Sequence, residues 1–258
     1  MMNQKNIKRL HYSFLILLPL IIFLTDCKKK ETISAKLYDS VSSIEDIDSN
    51  VYRTVKIGNQ WWMAENLKVK HYNNGKLIAK INSDIRFWDS KLTSGGYCLF
   101  NDDKTAPGLL YNWSAVVDSN QLAPKGWHIP TDEEWKVMEI HIGMSSLSAD
   151  SLGWRGKNEA NLLKIEGDST WKVPLDVFKN WGTNGSGFSA LSGGCRLFNG
   201  KWSAGTLGSV TDSYWWTASQ NKDSLNCAWY RSLDRDRSNI FRFYVRKTYC
   251  MSIRCVKN

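Results

Sequence analysis

Two adjacent tryptophan pairs, Trp61-Trp62 and Trp215-Trp216, limit what this chain can fold into. In a β-strand, neighbouring side chains point to opposite faces. Both rings of a pair cannot reach one core unless the strand is covered on both sides. One ring of each pair is therefore a candidate for a surface or groove, which makes Trp61, Trp62, Trp215 and Trp216 the candidate ligand contacts. Thirteen tryptophans are spread over 258 residues, and few stretches show a sustained helical period. Large rings, not long regular elements, must then supply the core. Core is the expected place for any single ring, and stacking on sugar faces is the functional alternative.

The β signals are short runs between Gly, Ser, Asn and Asp turns. "VYRTVKI" and "QWWMAENL" flank Gly58-Asn59, a pair suited to the positive φ of a two-residue hairpin. "AWYRSL" and "IFRFYV" flank "DRDRSN" as a second hairpin. Helix signals are fewer. Leu109–Val117 reads as one helix. Ile129–Ile142 is clearer, with Thr131 and Glu134 forming a capping box, Trp135, Met138 and Ile142 on one face, and Gly143 as its stop. Residues 143–185 read as a long loop-rich stretch pinned by Trp154, Trp171 and Trp181.

The N-terminus has its own logic. Lys5, Lys8 and Arg9 precede an apolar run, Tyr12–Leu24, which is shorter than the roughly 20 residues of a membrane span and contains Pro19. This is the pattern of a secretory signal over residues 1–26. "LTDC" (Leu24–Cys27) resembles the lipobox of bacterial lipoproteins, although Asp26 stands where a small residue is usual. The resemblance makes Cys27 the lipid-attachment residue and new N-terminus. It places the protein in the bacterial cell envelope, anchored by lipid to the outer membrane and facing the periplasm or the surface. The other reading is a soluble secreted protein cut nearby. Residues 27–50 are polar and aperiodic and read as a flexible tether, with the folded domain at 51–258.

The formal charge of +9 is concentrated at the start: residues 1–27 carry +2 and residues 28–31 another +2, leaving +5 for the rest. That excess gives no support for nucleic acid as a partner. The histidines show no zinc spacing, and no serine nucleophile motif, phosphate loop or paired-carboxylate arrangement stands out. "NDD" (Asn101–Asp103) and "DRD" (Asp234–Asp236) are the segments able to ligate calcium, with ordinary turn chemistry as the plainer role.

Eight ordered segments then carry a family resemblance: "VKIGNQWWMAENLKV", "YCLFNDD", "GLLYNWSAV", "APKGWHIPTDEEWKVME", "NGSGFSALSGG", "YWWTAS", "AWYRSL" and "SIRCVKN". Together they resemble the Fibrobacter succinogenes major paralogous domain (FISUMP), a bacterial family found on secreted proteins and lipoproteins. More distantly, "IPTDEEW" and "SIRC" resemble segments of the formylglycine-generating enzyme and C-type lectin-like superfold. The resemblance implies an α+β, lectin-like domain with two main helices, a small twisted antiparallel sheet and many loops. It implies a scaffold that displays loops for binding polysaccharide or an envelope protein, not a reaction.

Two other functions are set against that one. Formylglycine-generating enzymes bind copper through two cysteines with four residues between them, the spacing of Cys250 and Cys255, so a copper-dependent thiol oxidase is one alternative. A purely structural envelope component is the other. If residues 250–256 form one strand, five residues span roughly 16 Å at ~3.3 Å each, too far for a bond or a shared metal. Only a sharp bend at Met251 rescues the dithiol. The family resemblance suggests instead that Cys98 pairs with Cys255. It leaves Cys195 with Cys250 as a second pair and Cys227 over.

Overall fold

The computed structural model describes residues 36–82, 93–167, 171, 182–203 and 211–258. The signal segment, Cys27, Trp88 and Trp181 lie outside them. The described residues belong to one compact unit. It is a mixed α and β structure, mostly sheet with short helices and no barrel.

Described secondary structure begins upstream of the expected boundary at Val51. Strand β1 (Tyr38–Glu45) pairs antiparallel with β2 (Val51–Ile57), from Tyr38 opposite Ile57 to Glu45 opposite Val51. The link between them is closed by Asp46, whose carboxylate accepts from the amides of Asp48 and Asn50 and from the Tyr52 hydroxyl. Composition hid this strand because it is an edge: Val41, Ser42 and Ser43 face solvent. Ladder bonds to β2 hold it, with Tyr38 and Ile44 packed against the cores. The tether reading therefore fails for Tyr38–Glu45.

Strand β2 turns through Gly58, at φ +59°, into β3 (Gln60–Met63), with Ile57 opposite Gln60 as the two-residue hairpin requires. β4 (Ala79–Lys80) and β5 (Gly96–Cys98) run parallel, and β6 (Leu110–Asn112) pairs antiparallel with β5. The expected helix at Leu109–Val117 is thus half strand. Only α1 (Trp113–Val116) is helical, started by the Asn112 side chain accepting from the Ala115 amide. After β7 (Trp127–His128), α2 (Asp132–His141) carries the full capping box and buries Trp135 and Met138, with Ile142 buried at its end. Then come α3 (Ser146–Asp150), β8 (Gly153–Arg155) and α4 (Glu159–Leu163). The chain ends with β9 (Asp212–Gln220), β10 (Cys227–Asp234), β11 (Ile240–Arg246), β12 (Cys250–Met251) and β13 (Val256–Lys257).

Among the described residues the strands form three sheets: β1-β2-β3-β13-β7, β8-β11-β10-β9 and β12-β6-β5-β4. One core gathers Tyr52, Met63, Tyr111, Trp113, Trp216 and Cys255. The other gathers Val55, Trp62, Trp135, Phe188 and Trp215 around edge-on and tilted ring contacts of 5.1–6.3 Å. Helix α2 lies against the β9–β10–β11 sheet through charge. Arg231 and Arg242 sit directly opposite each other on β10 and β11. Two like charges so placed repel, and carboxylates of α2 neutralise them: Asp132 accepts from both, at 2.7 and 2.6 Å, and Glu139 accepts from Arg231 at 2.8 Å.

Candidate functional site

The two buried faces of β9 decide the fate of its tryptophans. Trp215 points into one core and Trp216 into the other, so both are essentially solvent-free. Trp62 is likewise fully buried, and only Trp61 remains half-exposed. The expected outward ring is therefore absent from the Trp215-Trp216 pair, because the strand is covered on both sides.

The aromatic surface lies one residue away. On the face of the β8-β11-β10-β9 sheet opposite α2, cross-strand register lines up Tyr214 with Ser232 and Phe241 with Trp154. Ring centroids step from Trp154 to Phe241 (4.9 Å), Phe241 to Tyr230 (6.1 Å) and Tyr230 to Tyr214 (6.1 Å). Trp154, Tyr214 and Phe241 are half-exposed. They line a groove of about 210 Å³ with Tyr230, Ser232, Asp212 and Asp234. The Arg237 guanidinium stands 4.6 Å from the Trp154 ring centre.

The acidic end of the groove joins Asp234, from the "DRD" segment, to Asp212, which carried no sequence signal. Asp212 opens β9 and Asp234 closes β10, and antiparallel register sets them opposite each other. Burial, the neighbouring charges of Asp212 and Asp236 and a hydrogen bond with the Asp212 carboxyl together raise the Asp234 pKa above the usual carboxylate range. Asp212 is fixed by the Tyr214 hydroxyl at 2.8 Å and the Thr211 hydroxyl at 2.7 Å. The signal that could have found this pair was the hairpin register, which carries residue 212 to residue 234 when the two strands are aligned. Chemically the groove offers aromatic faces beside a carboxyl pair that both accepts and donates.

The calcium segments do turn work. Asp103 accepts from the Thr105 amide and hydroxyl, and Asp234 accepts from the Asp236 amide. Among the described residues no three His, Cys, Asp or Glu side chains converge as a metal set.

Among the described residues Cys98, Cys195, Cys227, Cys250 and Cys255 stand as free thiols. Cys98 packs with Cys250, Ile81 and Leu110, and burial together with the neighbouring Cys98 thiol raises the Cys250 pKa. Cys255 lies in a different cluster, with Tyr52 and Tyr111. Cys195 belongs to that cluster too, whereas Cys250, whose neighbour Arg196 it bridges, faces the Cys98 side. Cys250 and Cys255 are also apart, but not on one strand. After Met251 the chain leaves β6, Ser252 bridges to Trp215, and Val256 slots between Trp62 and His128 in another sheet. No working dithiol is built from these two residues.

The sheets and the two buried tryptophan-rich cores define a mixed α and β domain. The Fibrobacter succinogenes major domain matches residues 55–257, and the chain belongs to that family. No curated protein and no solved structure matches it.

Proposed function

We propose that this chain is a lipid-anchored envelope protein that presents a lectin-like binding domain, and that its aromatic groove takes a sugar ring of a neutral polysaccharide. The observation that carries this reading is the groove of Trp154, Phe241, Tyr230 and Tyr214 ending at the Asp212–Asp234 pair. Aromatic faces bind the C–H face of a pyranose, and a carboxyl pair satisfies its hydroxyls, the combination of apolar lining and few convergent polar groups that marks ligand sites. A volume of about 210 Å³ is below the roughly 300–1,000 Å³ that encloses a drug-sized ligand, which suits one ring of a longer chain. Anchoring through Cys27, outside the described residues, supplies the envelope location in this reading. No helix among the described residues is long and apolar enough to cross a membrane.

The test is a panel of neutral glucans, xylans and mannans against the full chain, read by affinity electrophoresis and tryptophan fluorescence. One class of glycan should bind, and Trp154→Ala should weaken it by about five- to tenfold, since a lost ring contact removes ~1–1.4 kcal/mol. A folded protein that ignores the whole panel, or binding untouched by Trp154→Ala, defeats the reading. Mass spectrometry of the membrane fraction tests the anchor: Cys27→Ser should release the protein unlipidated.

A further inference from the structure

A second cleft lies on the other side of the chain's connectivity, where residues 66–70 meet the loop before β6. Burial alternates along residues 67–70: Leu67 and Val69 go inward while Lys68 and Lys70 both face out. The loop closes on this segment through the Leu109 amide, which donates to the Leu67 carbonyl at 3.0 Å. Gly108, at φ +116°, permits the approach, because a Cβ there would stand 2.7 Å from the Asn66 Cβ. Lys104 arrives on that loop. Lys80 arrives from β4, in register with Tyr97 of β5. The cleft that results has a volume of about 460 Å³, with Tyr97 and Leu99 among its walls and the four lysines Lys68, Lys70, Lys80 and Lys104 around it.

We infer that this cleft is a binding site for a saccharide segment bearing carboxylate, sulfate or phosphate groups, independent of the aromatic groove. Four ammonium groups line it and no carboxylate does. Among the described residues none of the four is in an ion pair; Lys68 lies 5.6 Å from the Tyr52 ring centre. Asp48, whose charge reaches the Tyr97 phenol, is already engaged by His71 Nδ1 and the Lys70 amide, each at 2.5 Å. Four cations sharing one concavity repel one another, and an anion relieves that repulsion while low-dielectric walls focus the field. The size favours a saccharide over a bare ion, since 460 Å³ lies within the roughly 300–1,000 Å³ of sites that enclose an organic ligand. The concavity also argues against a bilayer, whose surface cannot enter it. Tyr97 is nearly buried and serves as a wall of the cleft, and its hydroxyl stays protonated because burial and Asp48 raise its pKa.

The experiment measures binding of the full chain to polygalacturonate and dextran sulfate, with unmodified dextran as the neutral control, at about 50 mM salt, where surface charges still act. Lys68→Gln, Lys70→Gln, Lys80→Gln and Lys104→Gln are made singly, with Lys201→Gln and Lys222→Gln as exposed, charge-matched controls. Each cleft variant should weaken polygalacturonate or dextran sulfate binding by about two- to fivefold and flatten its salt dependence. The controls and Trp154→Ala should leave it unchanged, which separates this site from the aromatic groove. Equal binding of dextran, equal losses in the control variants, or association only with anionic-lipid vesicles would each overturn the inference.

Discussion

Arg254 Nε donates to Asn66 Oδ1 at 2.9 Å, a bond between residues 188 positions apart. The same oxygen accepts from Trp215 Nε1 at 2.9 Å. The Arg254 guanidinium goes on to donate to the carbonyls of Phe188 and Ser189, and its plane lies 4.0 Å from the Phe188 ring centre. Four of the recurrent family segments, those containing Asn66, Ser189, Trp215 and Arg254, therefore meet at one buried cation. The left-handed backbone of Asn184 and Ser189 shapes the turn that presents those carbonyls, with the Asn184 side chain bonded to the Ser189 amide and hydroxyl.

Asn66→Ala should destabilise the domain by about 2–4 kcal/mol, because it strands two buried donors at once. Arg254→Lys should cost a similar amount, since an ammonium cannot reproduce the fork. Urea unfolding of both variants checks this. Midpoints within error of the parent would mean the hub is dispensable.

Acid should weaken the fold through Asp132. Burial alone would raise its pKa, yet hydrogen bonds and charge from Arg242 and Arg231 hold it well below the usual carboxylate range. A carboxyl depressed in the folded state gives stability that is complete above its unfolded pKa, near ~3.9, and is lost as pH falls from there toward the folded value. Asp132→Asn leaves two buried guanidinium groups short of an anion and should cost about 3–5 kcal/mol at neutral pH. The gap between variant and parent should narrow below pH ~4 as the parent loses the same charge. Denaturant titrations at neutral and acid pH test it, and a gap that stays constant would sink the idea.

How far the sequence anticipates this structure depends on how local the signal is. The α2 capping box, the Gly58-Asn59 hairpin and the β10–β11 hairpin all rest on chemistry within a few residues, and all three stand in the fold. Strand β1 was unreadable because an edge strand is held by its neighbour's ladder and needs little apolar content. The adjacent tryptophans misled because strand alternation says that the rings diverge, not whether a second core waits on the far side. Asp234 read as a turn residue or a calcium candidate and Asp212 carried no signal, until register set them face to face. The four lysines of the cleft come from three separate stretches of chain, and no period or motif links them.

Alkali should unfold the domain early, and the buried thiols are the reason. Burial pushes Cys195 up to about 12 and holds Cys250 and Cys255 well above the ordinary thiol value. In the unfolded chain each thiol releases its proton near pH ~8.5 while the folded state keeps it. Folded protein then binds more protons, so stability falls as pH rises above that point, by about 1.4 kcal/mol per unit for each thiol. Lys164 acts with the opposite sign. Burial lowers its pKa to about 8, against the attraction of Asp234 and Asp236, while its ammonium donates to the Arg237 carbonyl at 2.7 Å. Between pH ~8 and ~10.4 the unfolded lysine holds a proton that the folded one has lost, which raises stability across that window. Buried tyrosines such as Tyr230 add to the loss only above pH ~10. Under reducing conditions, the parent's unfolding free energy should therefore decline from about pH 8.5 to pH 10. Relative to the parent, Cys255→Ala should make that decline shallower and Lys164→Met should make it steeper. The same titration after oxidative refolding adds a second reading, since a disulfide at Cys250 would remove its share of the slope. A parent profile that stays flat to pH ~10 while reduced would show that these thiols do not titrate as buried groups.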